Sequence, residues 1–340
     1  MGGGPGSRWV PRLVALSASS VVAAAIVEIA FRVTAVTPWY ERLEEQALRT
    51  PVVLEDVGGQ PFHVREALAH PPKPPGSFRI LFLGDSFTYG TGVEDPARVF
   101  PSLVVAELNE AGPAGAAARS ESFNGGIPGS LTQHWVQRFQ RAVGPYQPDL
   151  VVAVFFLRDG TRGLGGSTGH IREIGRRMAA LSDESWLFRR SRAYRHLRER
   201  RAQREFSRDY LRAIRQANVG GPDETAEWRR AQVNLARIRD EAERRGSKFA
   251  LVIFPLLFSL GRDYPLEDVC QLIERFATEQ GFPVLSLLPV FRGRSAPSLW
   301  VSPLNQHPNE TAHVLAAEAI AEFVAPLIAA GSRPAERRAG

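Results

Sequence analysis

Short runs of apolar residues recur along the chain, and most are followed by a stretch with helical periodicity. The runs lie at residues 78–83, 150–156, 249–254 and 283–287, and a short segment at 121–124 follows the first helical stretch. Segments that are apolar at nearly every position are typical of parallel strands buried on both faces of a sheet. The pattern therefore predicts a parallel sheet.

Apolar positions with helical spacing appear at residues 97–110, 224–245, 266–280 and 309–328. Strands that alternate with helices favour a doubly wound arrangement, in which helices cover both faces of a parallel sheet. We predict a three-layer α/β/α domain over residues 78–330.

A helical insertion is predicted at about residues 160–220, because this Arg-rich stretch has no strand pattern of its own. Its aromatic side chains either line a substrate pocket or pack within the insertion, and their helical spacing favours packing. These side chains are Trp186, Phe188, Tyr194, Phe206 and Tyr210.

The N-terminal segment predicts a single membrane-spanning helix. Residues 13–31 are mostly apolar, and Arg8 and Arg12 precede them. About 20 apolar residues span a bilayer, and flanking arginines favour the cytoplasmic side. Glu28 lies toward the far end, where a carboxylate reaches the interface. We therefore expect a single-pass protein with its catalytic domain outside the cytoplasm.

Two alternatives stay open for this segment. Small residues at 23–25 also permit cleavage by a signal peptidase, which would release a secreted protein. A buried helix of a soluble protein is the other alternative. The domain prediction is a signal anchor at 1–34, a linker at 35–77 that ends in the Pro-rich HPPKPPG at 70–76, the domain at 78–330 and a disordered tail at 331–340.

Composition and charge narrow the function classes. The net charge of +6 suits an anionic partner, but the arginines are spread among acidic residues and no nucleic-acid motif accompanies them. We expect no nucleic-acid partner. Cys270 is the single cysteine, which excludes an intrachain disulfide and a cysteine-rich metal site. No His/Asp/Glu spacing indicates a metal, and the glycines at 165–169 lack the Lys of a phosphate loop.

Candidate chemistry lies where the first long strand ends. The strand at 78–83 runs directly into GDSFTYG at 84–90, which places Ser86 at the carboxyl edge of the sheet, where active sites of open α/β sheets lie. The backbone N–H of Ser86 lies at the start of a helix, where it can donate a hydrogen bond to an oxyanion. A serine nucleophile needs a base, and His307 lies in a loop before the last helix.

Three motifs in order resemble the conserved blocks of the SGNH/GDSL hydrolases: GDSFTYGTG at 84–92, NGGIPG at 124–129 and HPNETAH at 307–313. The resemblance implies a flavodoxin-like fold and ester hydrolysis without a metal or organic cofactor. It also implies roles for Ser86 as nucleophile, His307 as base, and the backbone N–H of Gly129 as an oxyanion donor.

Two positions depart from the pattern of that family. Arg158 stands where the family has an oxyanion-binding Asn, and Asn305 stands where an Asp precedes the histidine. A guanidinium can still donate to an oxyanion, so we expect Arg158 in the oxyanion hole with Ser86 and Gly129. Asn305 is expected to orient His307, with Asp85 and Asp159 as alternative carboxylates.

The motifs also have structural interpretations. Ser86 suits a helix N-cap, the glycines at 125–129 suit a turn, and His313 suits packing on a helix face. The expected function is a membrane-anchored serine hydrolase that removes an acyl or acetyl group from an envelope glycan, a lipid or a small metabolite. Transfer of the acyl group to a sugar hydroxyl and a non-catalytic binding protein are the alternatives. The sequence does not determine the oligomeric state.

Overall fold

A computed structural model describes residues 9–34, 53–57, 59, 61–67, 72–112, 119–159, 176, 185–219, 225–302 and 305–329. The chain forms two compact units. The first comprises residues Met1–Arg42 and Ile171–Asp209, and the second comprises Leu43–His170 and Tyr210–Gly340. The predicted tail at 331–340 lies outside the described residues.

The second unit is built on a five-stranded parallel sheet. Its strands have the order β4-β3-β5-β6-β7, and all neighbouring pairs are parallel. They are β3 (Ser77–Gly84), β4 (Arg119–Gly126), β5 (Leu150–Phe156), β6 (Lys248–Phe254) and β7 (Val284–Ser286), after a hairpin of β1 (Val53–Asp56) and β2 (Pro61–Val64). The predicted parallel sheet is confirmed.

Helices cover both faces of this sheet. The described helices are α1 (Trp9–Val33), α2 (Ser86–Tyr89), α3 (Phe100–Glu110), α4 (Thr132–Tyr146), α5 (Trp186–Arg190), α6 (Arg192–Val219), α7 (Ala226–Arg244), α8 (Glu267–Glu279), α9 (Leu288–Phe291) and α10 (Glu310–Ala329). Helix α3 packs against α10, and α4 packs against α7. The predicted three-layer α/β/α class is therefore confirmed.

The strand order predicts where a ligand-binding crevice lies at the edge of the sheet. The chain leaves β3 for β4 on one side, whereas β5 pairs with β3 on the other side. Ligands of open α/β sheets bind at such a reversal, beyond the carboxyl ends of the strands. The ends of β3, β4 and β5 are followed by Asp85, Ile127 and Leu157, so the predicted motifs of all three strands meet at one edge.

Helix α4 shows how the core is assembled. Its apolar positions recur at helical spacing, and Trp135 and Phe139 are fully buried against the sheet. Arg138, on the same helix, is also buried, and it pairs with Glu55 of β1. A buried charge is tolerated when it is paired and hydrogen-bonded.

The segment assigned to a linker contributes structure to the second unit. The strands β1 and β2 form an antiparallel hairpin, and Val57 and Val64 are buried together with Ile127. For residues 53–67 the linker interpretation is therefore replaced by a packed hairpin.

The first unit joins α1 to the helical insertion. Helix α1 is a continuous helix of 25 residues. The carboxylate of Glu28 accepts hydrogen bonds from the Ser191 hydroxyl (2.7 Å) and from the backbone N–H groups of Arg192 (3.0 Å) and Ala193 (3.1 Å). The two backbone donors are N–H groups of the first turn of α6, which have no acceptor within the helix. Glu28 thus caps a helix, which the sequence analysis did not foresee.

The insertion is helical over residues 185–219, as predicted, while 160–175 and 177–184 lie outside the described residues. Phe188 is buried and Trp186 is exposed. In the C-terminal part of α6, Ile214 is buried in the core, and the Asn218 amide donates to the carbonyl of Leu157 (3.1 Å). The side chain of Phe206 lies outside the described residues.

Among the residues that the structure describes, α10 is long and apolar enough to cross a membrane. One face of α10 is buried in the second unit, which is typical of a core helix. Cys270 on α8 is also buried, and burial raises the pKa of its thiol to about 12. The thiol is therefore protonated at neutral pH.

Candidate active site

Ser86 begins a very short helix directly after β3. Asp85 caps this helix, because its Oδ1 accepts a hydrogen bond from the N–H of Phe87 (2.9 Å). Gly90 ends the helix in the left-handed region, with φ of +79°. Gly84 has no room for a side chain, since a Cβ atom there would lie 2.0 Å from Thr88 Oγ1. Ser86 is 4% exposed, so the local sequence fixes its hydroxyl at the crevice.

His307 reaches Ser86 from the other end of the chain. It lies on strand β9 (Asn305–Pro308), which pairs with β8 (Trp300–Ser302) just before α10. The distance from His307 Nε2 to Ser86 Oγ is 3.0 Å. This distance is within hydrogen-bond reach, so the imidazole can take the proton of the hydroxyl.

Asn305 holds the other side of the imidazole. Its Oδ1 lies 2.5 Å from His307 Nδ1 and also accepts the N–H of His307 at 3.3 Å. An amide oxygen only accepts, so Nδ1 carries the proton and Nε2 faces Ser86 with its lone pair. Asn305 is 8% exposed, and its own N–H donates to Ser302 Oγ. Asn305 thus occupies the place of a triad carboxylate.

Aromatic side chains pack beside the serine and the histidine. The ring of Phe87 stacks on Phe156 with centroids 4.1 Å apart, and it lies 5.6 Å from the imidazole of His307. These contacts reduce water access on one side of the pair and limit rotation of the imidazole.

A buried charge cluster lies behind Ser86. Arg158 Nη2 is 3.3 Å from Asp85 Oδ2, and the same oxygen is 3.3 Å from Ser86 Oγ. Burial raises the pKa of Asp85, and the cation of Arg158 partly offsets that rise. Burial and the charge of Asp85 raise the pKa of Asp159 well above its usual value. Arg158 therefore favours the ionised form of Asp85, whereas the charge of Asp85 disfavours ionisation of Asp159.

The loop after β4 is fastened to the serine helix. Asn124 Nδ2 donates to the carbonyl of Thr88 (2.9 Å), and its Oδ1 accepts the N–H of Gly126 (3.0 Å). A Cβ atom on Gly126 would lie 2.3 Å from the backbone nitrogen of Tyr89. Gly129 follows in the left-handed region, with φ of +76°. This packing requires the glycines that the motif supplied.

The structure thus brings Ser86, His307 and Asn305 together, and it places Arg158 behind Ser86 through Asp85. His313 lies elsewhere, buried on α10, where its Nδ1 accepts the N–H of Phe100 (3.2 Å). Burial lowers the pKa of His313 to about 3, so this histidine is neutral. This position agrees with the interpretation that His313 packs on a helix face.

Sequence reasoning missed two features of the site. It did not pair Arg158 with Asp85, although Asp85 was considered as a carboxylate for His307. It also did not include Arg65, which contacts the loop after Ser86. Among the described residues, no group of three His, Cys, Asp or Glu side chains could hold a metal ion.

Comparison with known proteins gives the family. The model of the GDSL-like lipase/acylhydrolase family matches residues 82–315, more than half of the chain. No curated protein sequence matches significantly.

Several solved structures are similar in fold. TesA is 16% identical with a TM-score of 0.44, and the alignment covers 73% of this chain and 99% of TesA. A lipase/acylhydrolase from Enterococcus faecalis is 15% identical with a TM-score of 0.44, and the alignment covers 74% and 96% of the two chains. A catalytic mutant of the acetylxylan esterase Axe2 from Geobacillus stearothermophilus is 15% identical with a TM-score of 0.44, covering 73% and 94%.

The family match includes Ser86 and His307, and the resemblance seen in the three sequence motifs is confirmed. The chain belongs to the GDSL-like lipase/acylhydrolase family and is a hydrolase of ester bonds.

Proposed function

We propose that this protein is a membrane-anchored serine esterase that acts outside the cytoplasm, with Ser86 as nucleophile and His307 as general base. The observation that carries the proposal is the continuous hydrogen-bonded series from Ser86 Oγ to His307 Nε2 (3.0 Å) and from His307 Nδ1 to Asn305 Oδ1 (2.5 Å). A nucleophile, a base and a group that orients the base are the parts that acyl transfer needs.

In the first half-reaction, Ser86 Oγ attacks the carbonyl carbon of the ester while its proton passes to His307 Nε2. The tetrahedral oxyanion is stabilised by the N–H groups of Ser86 and Gly129. Collapse of the intermediate breaks the ester C–O bond, and the imidazolium returns the proton to the leaving alcohol. The product of this step is an acyl ester of Ser86.

In the second half-reaction, water replaces the alcohol. His307 takes a proton from the water, the resulting hydroxide attacks the acyl carbon, and the proton then passes to Ser86 Oγ as the acid departs. Asn305 keeps the proton on Nδ1 throughout, but it adds no negative charge beside the imidazolium. The site is therefore a serine triad with a neutral third member.

Arg158 contributes positive charge near the oxyanion in this proposal. Its pairing with Asp85 supports this role, because the cation neutralises a carboxylate that would otherwise repel negative charge developing at Ser86. The family's neutral amide at this position would not neutralise Asp85.

The N-terminal helix supports the membrane anchor. At about 1.5 Å per residue, the mostly apolar residues 13–31 of α1 reach about 28 Å, which is close to the hydrocarbon thickness of about 30 Å. Large apolar side chains on this helix are exposed: Val21, Val22, Ile26, Val27, Ile29 and Val33. A bilayer would cover them. Resistance of the full chain to carbonate extraction tests the anchor, and a mature protein that begins near residue 25 would show secretion instead.

We propose an acylated glycan, lipid or small metabolite as substrate, with a short acyl group such as acetyl. The small exposed fraction of Ser86 supports a short acyl group, because a long chain needs open space beside the nucleophile. Hydrolysis of p-nitrophenyl acetate against butyrate tests this preference, and faster cleavage of butyrate would contradict it.

The nucleophile is tested with a fluorophosphonate probe and p-nitrophenyl acetate on the full chain. Ser86→Ala abolishes both labelling and hydrolysis, whereas Ser298→Ala, at an exposed serine, preserves both. Labelling that survives Ser86→Ala would overturn the assignment. Product analysis with sugar acceptors separates hydrolysis from acyl transfer, because a transferase diverts the acyl group from water.

A further inference from the structure

The hairpin that precedes the sheet, residues 53–67, contacts the loop that follows Ser86. Arg65 lies just beyond β2, and its Nη2 donates to the carbonyls of Gly90 (2.9 Å) and Val93 (2.6 Å). Its Nη1 lies 3.4 Å from the carbonyl of Glu94. One guanidinium therefore holds three carbonyl groups of residues 90–94.

Arg65 also covers the last residue of the serine helix. Its guanidinium carbon lies 4.9 Å from the ring centroid of Tyr89, which is within the range of a cation–π contact. Burial raises the pKa of Tyr89, although the cation of Arg65 opposes the rise. Tyr89 is therefore a neutral phenol packed under a cation.

The loop held by Arg65 in turn holds Ser86. The N–H groups of Gly90 and Thr91 both donate to the carbonyl of Ser86, each at 3.0 Å. The backbone of the proposed nucleophile is thus connected to Arg65 through a single intervening residue, Gly90. A shift of the 90–94 loop would move Ser86 relative to His307.

The same hairpin contacts the proposed oxyanion loop. Val57 and Val64 are buried against Ile127, whose own N–H donates to the carbonyl of Gly84 (3.0 Å). The hairpin is fixed to α4 because Arg138 pairs with Glu55 and donates to the carbonyl of Glu66 (2.8 Å). It therefore contacts two active-site loops from one rigid support.

We propose that Arg65 is a positioning residue for the nucleophile, and that residues 53–67 are part of the catalytic unit. The proposal rests on the proposed role of Ser86 as nucleophile. Arg65 acts through the backbone of residues 90–94 and does not touch the substrate. A misplacement of about 1 Å in an active site slows a reaction by about 10²-fold, which sets the scale of the expected effect.

The test uses the full chain with Arg65→Ala, Arg65→Gln and Arg65→Lys. The matched control is Arg98→Ala. Arg98 is an exposed arginine that pairs with Glu310. We expect Arg65→Ala to lower kcat by about 10²-fold with KM changed less than about 3-fold. Reaction of Ser86 with the fluorophosphonate probe slows by the same factor, because the nucleophile itself is misplaced.

Two further measurements separate positioning from loss of folding. Arg65→Lys keeps the charge but not the forked donors, so it gives an intermediate rate at an unfolding midpoint near that of the wild type. Added guanidinium at millimolar concentration speeds Arg65→Ala and leaves Arg98→Ala unchanged. If Arg65→Ala does not fold, the Gln and Lys variants carry the comparison.

The proposal is overturned if the Arg65 variants that fold retain kcat within about 3-fold of the wild type. It is also overturned if their loss of rate equals their unfolded fraction. Failure of the proposed function is a separate result, since the wild type itself would then show no Ser86-dependent labelling.

Discussion

Asn305 supplies a neutral acceptor where a carboxylate would give His307 a charged partner. Asn305→Asp changes one group and keeps its shape, so the hydrogen bond to His307 Nδ1, now 2.5 Å long, can be preserved. The variant isolates the effect of a negative charge behind the proposed base. Asn305→Ala removes the acceptor altogether and serves as the paired variant.

The expected gain follows from the geometry. A hydrogen bond with a charged partner is worth about 1–1.5 kcal/mol more than a neutral one, and 1.36 kcal/mol corresponds to about tenfold in rate. We therefore expect Asn305→Asp to raise kcat/KM by about tenfold. The gain is smaller than the roughly 10⁴-fold loss on amide substitution in a serine protease, because here the amide oxygen already selects the productive tautomer.

The pH dependence provides a second measurement. A carboxylate stabilises the protonated imidazole, so it moves the acidic limb of the kcat/KM profile to higher pH by about 1 unit. Hydrolysis of p-nitrophenyl acetate is measured between about pH 5 and 9 for the wild type and both variants. These data give both the maximal kcat/KM and the pH midpoint of its acidic limb. Unchanged rates and profiles in both folded variants would refute the assignment of Asn305 as the orienting group.

Three further predictions concern the surroundings of the site. Arg158→Met lowers the free energy of unfolding by about 3–5 kcal/mol in urea, because it leaves the Asp85 carboxylate buried without its cation; a change below about 1 kcal/mol would argue against a buried ion pair. Gly126→Ala lowers the free energy of unfolding by about 1–3 kcal/mol and slows labelling of Ser86 by the fluorophosphonate probe, since the added Cβ would lie 2.3 Å from the Tyr89 nitrogen. Labelling at the wild-type rate would contradict this prediction. His313 has a pKa of about 3 when folded and about 6.5 when unfolded, so the unfolded state gains the proton as the pH falls through that window. Stability is then lost by up to about 1.4 kcal/mol per pH unit, and His313→Gln flattens that slope in urea titrations at several pH values; an equal slope would exclude His313.

The sheet was predictable because its strands are buried on both faces. A strand such as Leu150–Phe156 has no polar position, and such an uninterrupted apolar run indicates that both faces of the strand are buried. Helix α4 carried an equally clear signal in the spacing of Trp135, Phe139 and Val143, which the sequence analysis did not use. The hairpin at 53–67 gave little signal, since strands of four residues such as Val53–Asp56 are too short for a periodic pattern.

The motifs named Ser86 and His307, and the fold places these side chains together. Other contacts of the site arise only from adjacency of distant segments. Arg158 follows β5 and Asp85 follows β3, so their pairing depends on the two strands being neighbours. Likewise, Glu28 looked like a charge near a membrane interface, and its role as a helix cap depends on where the start of α6 lies.

The hairpin also determines what limited proteolysis does to the protein. A cut between α1 and Val53 leaves the hairpin covalently joined to the sheet, and it preserves the contacts that Arg65 makes with residue 90 and that the hairpin makes with Arg138 and Ile127. A cut between residues 67 and 72 leaves the sheet intact, but the hairpin is then held to the sheet domain by noncovalent contacts alone. The effect of proteolysis on the proposed catalytic unit therefore depends on which side of residues 53–67 the protease cuts.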